Sequence, residues 1–185
     1  MSVLINADTS DGLKLTSDTS GEIKLQSAGA DIATVDSSGI TMASGKVLAA
    51  TGHVLQVVQS TTNTQTTSSS TSYISVSLSA NITPSSTSNK VLVFVFSPVE
   101  VAVSGEFRST IYRDSTDIAP STSGLFYLNS GSSATRVSGA SMSILDSPSS
   151  TSSITYSARM KTSGIQGVFN KGSAYAQITL MEIAG

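Results

Sequence analysis

Residues 8–45 repeat a pattern every ten positions, and so short a fixed period restricts this part of the chain to small modules stacked on their neighbours or on copies of themselves. Aligned on their turns, the units read DTSDGLKLTS from Asp8, DTSGEIKLQS from Asp18, AGADIATVDS from Ala28 and a shorter SGITMASG from Ser38. Each carries a Gly/Asp/Ser-rich turn and then three residues that alternate inward, outward, inward. The alternations are Leu13-Lys14-Leu15, Ile23-Lys24-Leu25, Ala33-Thr34-Val35 and Ile40-Thr41-Met42.

The inward positions are Leu13, Leu15, Ile23, Leu25, Val35, Ile40 and Met42, with the small Ala33. A lone ribbon of such short strands cannot shield its own apolar face from water, whereas three ribbons wound about a common axis can. Residues 8–51 are therefore read as the intertwined β-repeat stalk of a homotrimer, with those apolar residues on its axis.

Composition points the same way. About a third of the residues are Ser or Thr, charged residues are 12% and aromatics 5%, and Trp and Cys are absent. Thr favours strands and Ser favours turns, and no window of helical length carries a 3.6-residue apolar stripe. The fold class expected is all-β. A net charge of −2 without a Lys/Arg cluster argues against nucleic acid, and no apolar run reaches the length of a membrane span. The opening MSVLINADTS has neither a basic n-region nor an apolar h-region, so the expectation is a product made in a cytoplasm without a signal peptide.

From residue 52 the ten-residue pattern stops. Strands are expected over residues 54–59, 72–78, 91–96, 99–103, 107–112, 125–128, 136–145, 154–160, 165–169 and 174–183. Several alternate cleanly, as in Ile74/Val76/Leu78 against Ser75/Ser77, which marks a half-buried antiparallel strand. The run VLVFVF from Val91 is apolar on both faces, so it should be central, with a second sheet on one side and a loop or neighbouring subunit on the other. Eight to ten short strands at this spacing suggest an antiparallel β-sandwich of jelly-roll type over residues 52–185, joined to the stalk at residues 49–52. The Ser/Thr tract over residues 60–72 reads equally as an extended edge, a surface loop or a linker.

The residues that might carry chemistry are few. His53 is the one histidine, too little for a zinc site and badly placed for a Ser-His-Asp triad, and it is read as a turn residue at the joint. Asp114 and Asp117 share a polar loop and could in principle act as the acid and base of a glycosidase. An ion pair of Asp114 with Arg113 is the reading preferred. No catalytic residue, metal or cofactor is assigned, and the chain is read as non-enzymatic. Among the aromatic residues Phe107, Phe126 and Phe169 are expected in the core, while Tyr112 and Tyr127, beside polar loops, are kept as surface-contact candidates.

The head resembles a C-terminal domain recurrent in virion proteins of tailed bacteriophages. The residues that carry the resemblance are GHVLQVV from Gly52, NITPSSTSNKVLV from Asn81, DSP from Asp146 and ITLMEI from Ile178. In the stalk, DTSGEI from Asp18 and ATVDSSGI from Ala33 resemble segments of phage tail-fibre and head-fibre proteins. The resemblance implies a homotrimeric fibre or spike displayed on a virion. Residues 1–7, with the apolar Val3, Leu4 and Ile5, are expected to anchor it to another virion protein. The head could contact host cell-surface glycan. A tail fibre of receptor-binding type is the first reading and a capsid decoration or head fibre the alternative; a glycan-depolymerising spike or a plain carbohydrate-binding module ranks below both.

Overall fold

The computed structural model describes residues 21–185 apart from Val47, Ala49 and Pro120. The chain divides into two compact units, Met1–Leu48 and Ala49–Gly185. All regular structure among the described residues is β-strand, except one 3₁₀ turn at Lys171–Ser173.

In the first unit β1 (Ile23–Ser27), β2 (Ala30–Asp36) and β3 (Gly39–Met42) form an antiparallel meander. The repeat turns make the reversals. Ala28 and Gly29 both have positive φ, +50° and +78°, as a two-residue hairpin turn of matching twist requires. At the next turn the Asp36 carboxylate accepts bonds from the backbone N–H and hydroxyl of Ser38, which hold its pKa below the usual range. Consecutive repeats thus pair with each other within one chain. Of the residues assigned from sequence, the axis residues Leu13 and Leu15 and the anchoring residues Val3, Leu4 and Ile5 lie outside the described residues.

The second unit is a sandwich of two antiparallel sheets. Its strands are β4 (Val54–Thr62), β5 (Thr66–Ser68), β6 (Ile74–Ile82), β7 (Lys90–Val101), β8 (Glu106–Arg113), β9 (Thr116–Asp117) and β10 (Phe126–Asn129). β11 (Arg136–Asp146), β12 (Ile154–Thr162), β13 (Gly167–Phe169) and β14 (Ala176–Ile183) complete it. One sheet runs β4-β14-β7-β11, with β13 and β5 extending it beside the far end of β7; the other runs β10-β8-β12-β6, with β9 on β8. Setting aside the three short strands β5, β9 and β13, the remaining eight in chain order take the orders 1-8-3-6 and 5-4-7-2. That is the double Greek-key arrangement of a jelly roll.

The core lies between the sheets. Val91, Val93, Val95, Val99 and Val101 of β7 face Leu78, Ile82, Phe107, Ile111, Tyr156 and Met160, with Ile178 and Leu180 beside them, all essentially excluded from water. Period-two burial carries through β6, β12 and β14, as alternating sequences demand. Phe107 and Phe169 are buried and Phe126 packs against the core.

One expectation needs correction, and one left open is decided. The strands expected over residues 91–96 and 99–103 are one strand, β7, running through Pro98. Proline fits there because β14 pairs only as far as Phe96 and β13 begins only at Val99, so no ladder bond is lost for want of its N–H. The tract over residues 60–72 is not a linker: it extends β4 to Thr62 and supplies β5, which pairs with β13.

Candidate interaction surfaces

On the meander, register decides which side chains share a face, because directly opposed residues project to the same side. Ile23, Val35 and Ile40 form one row across the three strands, and Leu25, Ala33 and Met42 form the next. Lys24, Thr34 and Thr41 fall together on the opposite face. The described residues assigned from sequence to a common axis therefore make one continuous apolar face. Ala33 is buried within it, but Leu25 remains 51% exposed and Ile40 71% exposed.

Tyr112 and Tyr127 both lie on the outer face of the β10-β8-β12-β6 sheet, among cations. The Arg159 guanidinium sits 4.2 Å from the Tyr112 ring centroid, and Tyr73 approaches the same ring edge-on at 6.2 Å. Arg108 lies 5.2 Å from the Tyr127 centroid, and Lys161 lies 4.4 Å from that of Tyr73. Tyr127 donates its hydroxyl proton to Glu106 and accepts a bond from Asn129. Bonds from Arg108 and then Tyr127 hold the Glu106 carboxyl below its usual range. Burial, reinforced by the charge of Asp117, pushes the Tyr73 phenol up to about 12. The Tyr73 hydroxyl and the Arg159 Nε are buried and have no hydrogen-bond partner among the described residues. Tyr127 is therefore open to solvent on one side of a cationic strip, while Tyr112 is packed beneath Arg159.

The acidic loop has a different use from the one expected. Asp114 does not pair with Arg113; its carboxylate accepts from the backbone N–H of Thr155. Asp117 accepts from the Thr110 hydroxyl and the Ala119 N–H. Arg113 instead donates to both oxygens of Asp146, at 2.9 and 2.8 Å, and the buried Tyr156 hydroxyl donates to the same carboxylate at 2.6 Å. Burial and then this bond push the Tyr156 phenol far up. His53 sits at the start of the sandwich, where its backbone bonds to Ala50 and Ala184 tie the entry strand to the C-terminal end.

A second polar centre was missed from sequence. The carboxylate of Glu182, 1% exposed, accepts from Gln56 (2.6 Å), from the Ser85 N–H (2.6 Å), from the Ser85 hydroxyl (2.8 Å) and from Asn89 (2.5 Å). Burial raises its pKa, but these donors outweigh burial and bring it below the ordinary value. The centre joins the stretches from Gly52, Asn81 and Ile178 that carry the phage resemblance, while Asp146 opens the DSP stretch. Those stretches recur here as parts of buried hydrogen-bond clamps. The one signal in the sequence was a lone acid in an otherwise apolar strand end.

Among the described residues no group of His, Cys, Asp and Glu is arranged to hold a metal ion, and no helix is long and apolar enough to cross a membrane.

No protein-family model and no curated protein matches the chain. Among solved structures it is similar to the crystal structure of the infectious bursal disease virus VP2 subviral particle, at 15% identity and a TM-score of 0.39. The match covers 94% of this chain, which spans about two fifths of the length of the other (41%). At that score the likeness carries no argument about architecture or function.

Proposed function

We propose that this chain is a non-enzymatic structural protein of a tailed-bacteriophage virion, a homotrimeric fibre or spike of tail-fibre type. The repeats form its shared stalk and the jelly roll is the displayed head, able to contact host glycan. Residues Val3, Leu4 and Ile5 dock it to another virion protein. The observation that carries this reading is the apolar face of the meander. A β-sheet with one apolar face needs a partner layer, and three copies of the same face meeting on an axis supply it without any other component. The assignment to a phage virion rests on the resemblance of the stalk and head stretches quoted above.

The test is the solution mass of the whole chain by sedimentation equilibrium, against the 18.9 kDa monomer. A species of three chains is expected, and Leu25→Asp with Ile40→Asp should convert it to one, because each copy would bring charge to the shared axis. A mass of one chain for the unsubstituted protein, or a doubly substituted variant that stays trimeric, overturns the stalk reading. Antibody labelling of purified particles tests the virion assignment separately.

A further inference from the structure

The outer face of the β4-β14-β7-β11 sheet is built unlike a solvated one. Its register places Val57, Met181, Leu92 and Leu145 in a single row across four strands, every residue apolar. The next two rows are Gln59, Thr179, Phe94 and Ser143, then Thr61, Gln177, Phe96 and Ser141. Phe94 and Phe96 are 42% and 45% exposed, and Val57 and Leu145 more than half exposed. Gly139 admits the Phe96 ring beside it: a Cβ there would come within 3.3 Å of the ring. No charged side chain stands in the three rows. Charges appear only beyond them, at Lys90 on one end and at the Glu100–Lys171 ion pair on the other. Water-facing sheet surfaces usually carry charge, and an aromatic and methionine centre with a charged border is the pattern of a protein interface.

We propose that this face is an interface between copies of this chain, packing head against head. An uncharged face offers a foreign partner no charge pattern to complement, whereas it matches a second copy of itself at no electrostatic cost. Four strands about 4.8 Å apart over roughly 30 Å of strand give about 600 Å² per copy. A pair of copies then buries about 1,200 Å², the lower end for a specific, stable interface. The inference rests on the trimer reading in one respect, the roughly millimolar effective concentration at which a shared stalk would hold the heads; a face that matches itself joins copies two at a time, so two heads of each trimer pair and the third stays unpaired. The linker between Met42 and Val54 reaches at most about 40 Å. The row Val57, Met181, Leu92 and Leu145 has no donor for a sugar, and one amide proton of Gln59 is held by the Thr179 hydroxyl.

The chain contains no cysteine, so one introduced thiol reports proximity without interference. Ser143, exposed in the middle row of the face on its edge strand β11, becomes Ser143→Cys; Ser79, exposed on the outer side of the other sheet, becomes the control Ser79→Cys. Both are made in the full chain and exposed to a mild oxidant, and covalent dimer is read on a denaturing gel. Dimer should form at least tenfold faster from the Ser143 variant, and adding Phe94→Glu with Phe96→Glu should remove that excess. Equal rates for the two thiols overturn the proposal. So does an excess that survives the glutamates, or a host glycan that binds the unsubstituted protein and loses binding with those glutamates while Ser143→Cys stays uncross-linked. Sedimentation mass of the same samples reads the stalk independently: a trimer with equal thiol rates keeps the stalk and discards this face.

Discussion

Replacing Glu182 with alanine tests whether a buried carboxylate holds the sandwich closed. Its four donors come from β4, from the loop between β6 and β7, and from Asn89 just before β7. After removal two donors retain other acceptors: Gln56 bonds to the Thr83 carbonyl and Asn89 to the Ser85 hydroxyl. Ser85 is exposed, so its N–H and hydroxyl turn to water instead. What is lost is hydrogen bonding to a charged group, about 1.5–3 kcal/mol. For a chain of this size that is a fall in Tm of roughly 3–12 °C. Glu182→Gln keeps the shape but turns an amide toward the donors, and should cost about half as much. The pair also predicts a pH dependence. Because the folded-state pKa lies below the ordinary 4.5, the carboxylate's stabilisation is complete above that value and is lost as pH falls through the lower one. The gap in urea midpoint between the parent and Glu182→Gln should therefore hold from neutrality to about pH 5 and close on further acidification. An alanine variant melting within about 2 °C of the parent would refute the clamp, and so would a gap to Glu182→Gln that widens in acid.

Deleting residues 174–185 removes β14, which sits between β4 and β7, so both ladders and the buried Ala176, Ile178 and Leu180 go together. The truncated chain should show no cooperative unfolding by circular dichroism, and a sharp transition would mean that the sheet closes without its second strand. At Gly167 a methyl group would meet Thr162 Cγ2 at 2.8 Å and Phe107 Cδ2 at 3.0 Å. Gly167→Ala should cost about 1–3 kcal/mol through overpacking, read from the denaturant midpoint, and an unchanged midpoint would show that the neighbours yield freely.

How much of this could be read from the chain follows from the range of the interactions. Ile74/Val76/Leu78 and the alternating run from Ile154 announce strands because a strand's side chains take turns between core and water, a rule written in adjacent residues. The same holds for the ten-residue units, whose Gly- and Asp-rich turns fall where β1, β2 and β3 reverse. The two strands expected over residues 91–96 and 99–103 are one because the N–H that Pro98 lacks would face a gap between two partners, and that gap is made by β14 and β13, strands distant in sequence. Arg113 was assigned to the adjacent Asp114, yet side chains on neighbouring residues diverge, and its partner Asp146 arrives from another strand.

The chain by itself determined an all-β protein with a repetitive front and a sandwich behind it, because period, turn chemistry and alternation are local. Only the tertiary structure decided that the repeat residues Ile23, Val35 and Ile40 stand in one row. It alone placed Val57, Met181, Leu92 and Leu145 in another, and converged Gln56, Ser85 and Asn89 on Glu182. The last two depend on register between strands distant in sequence, set by the packing of the whole core, whereas the meander row depends on the register that its short turns impose on neighbouring strands.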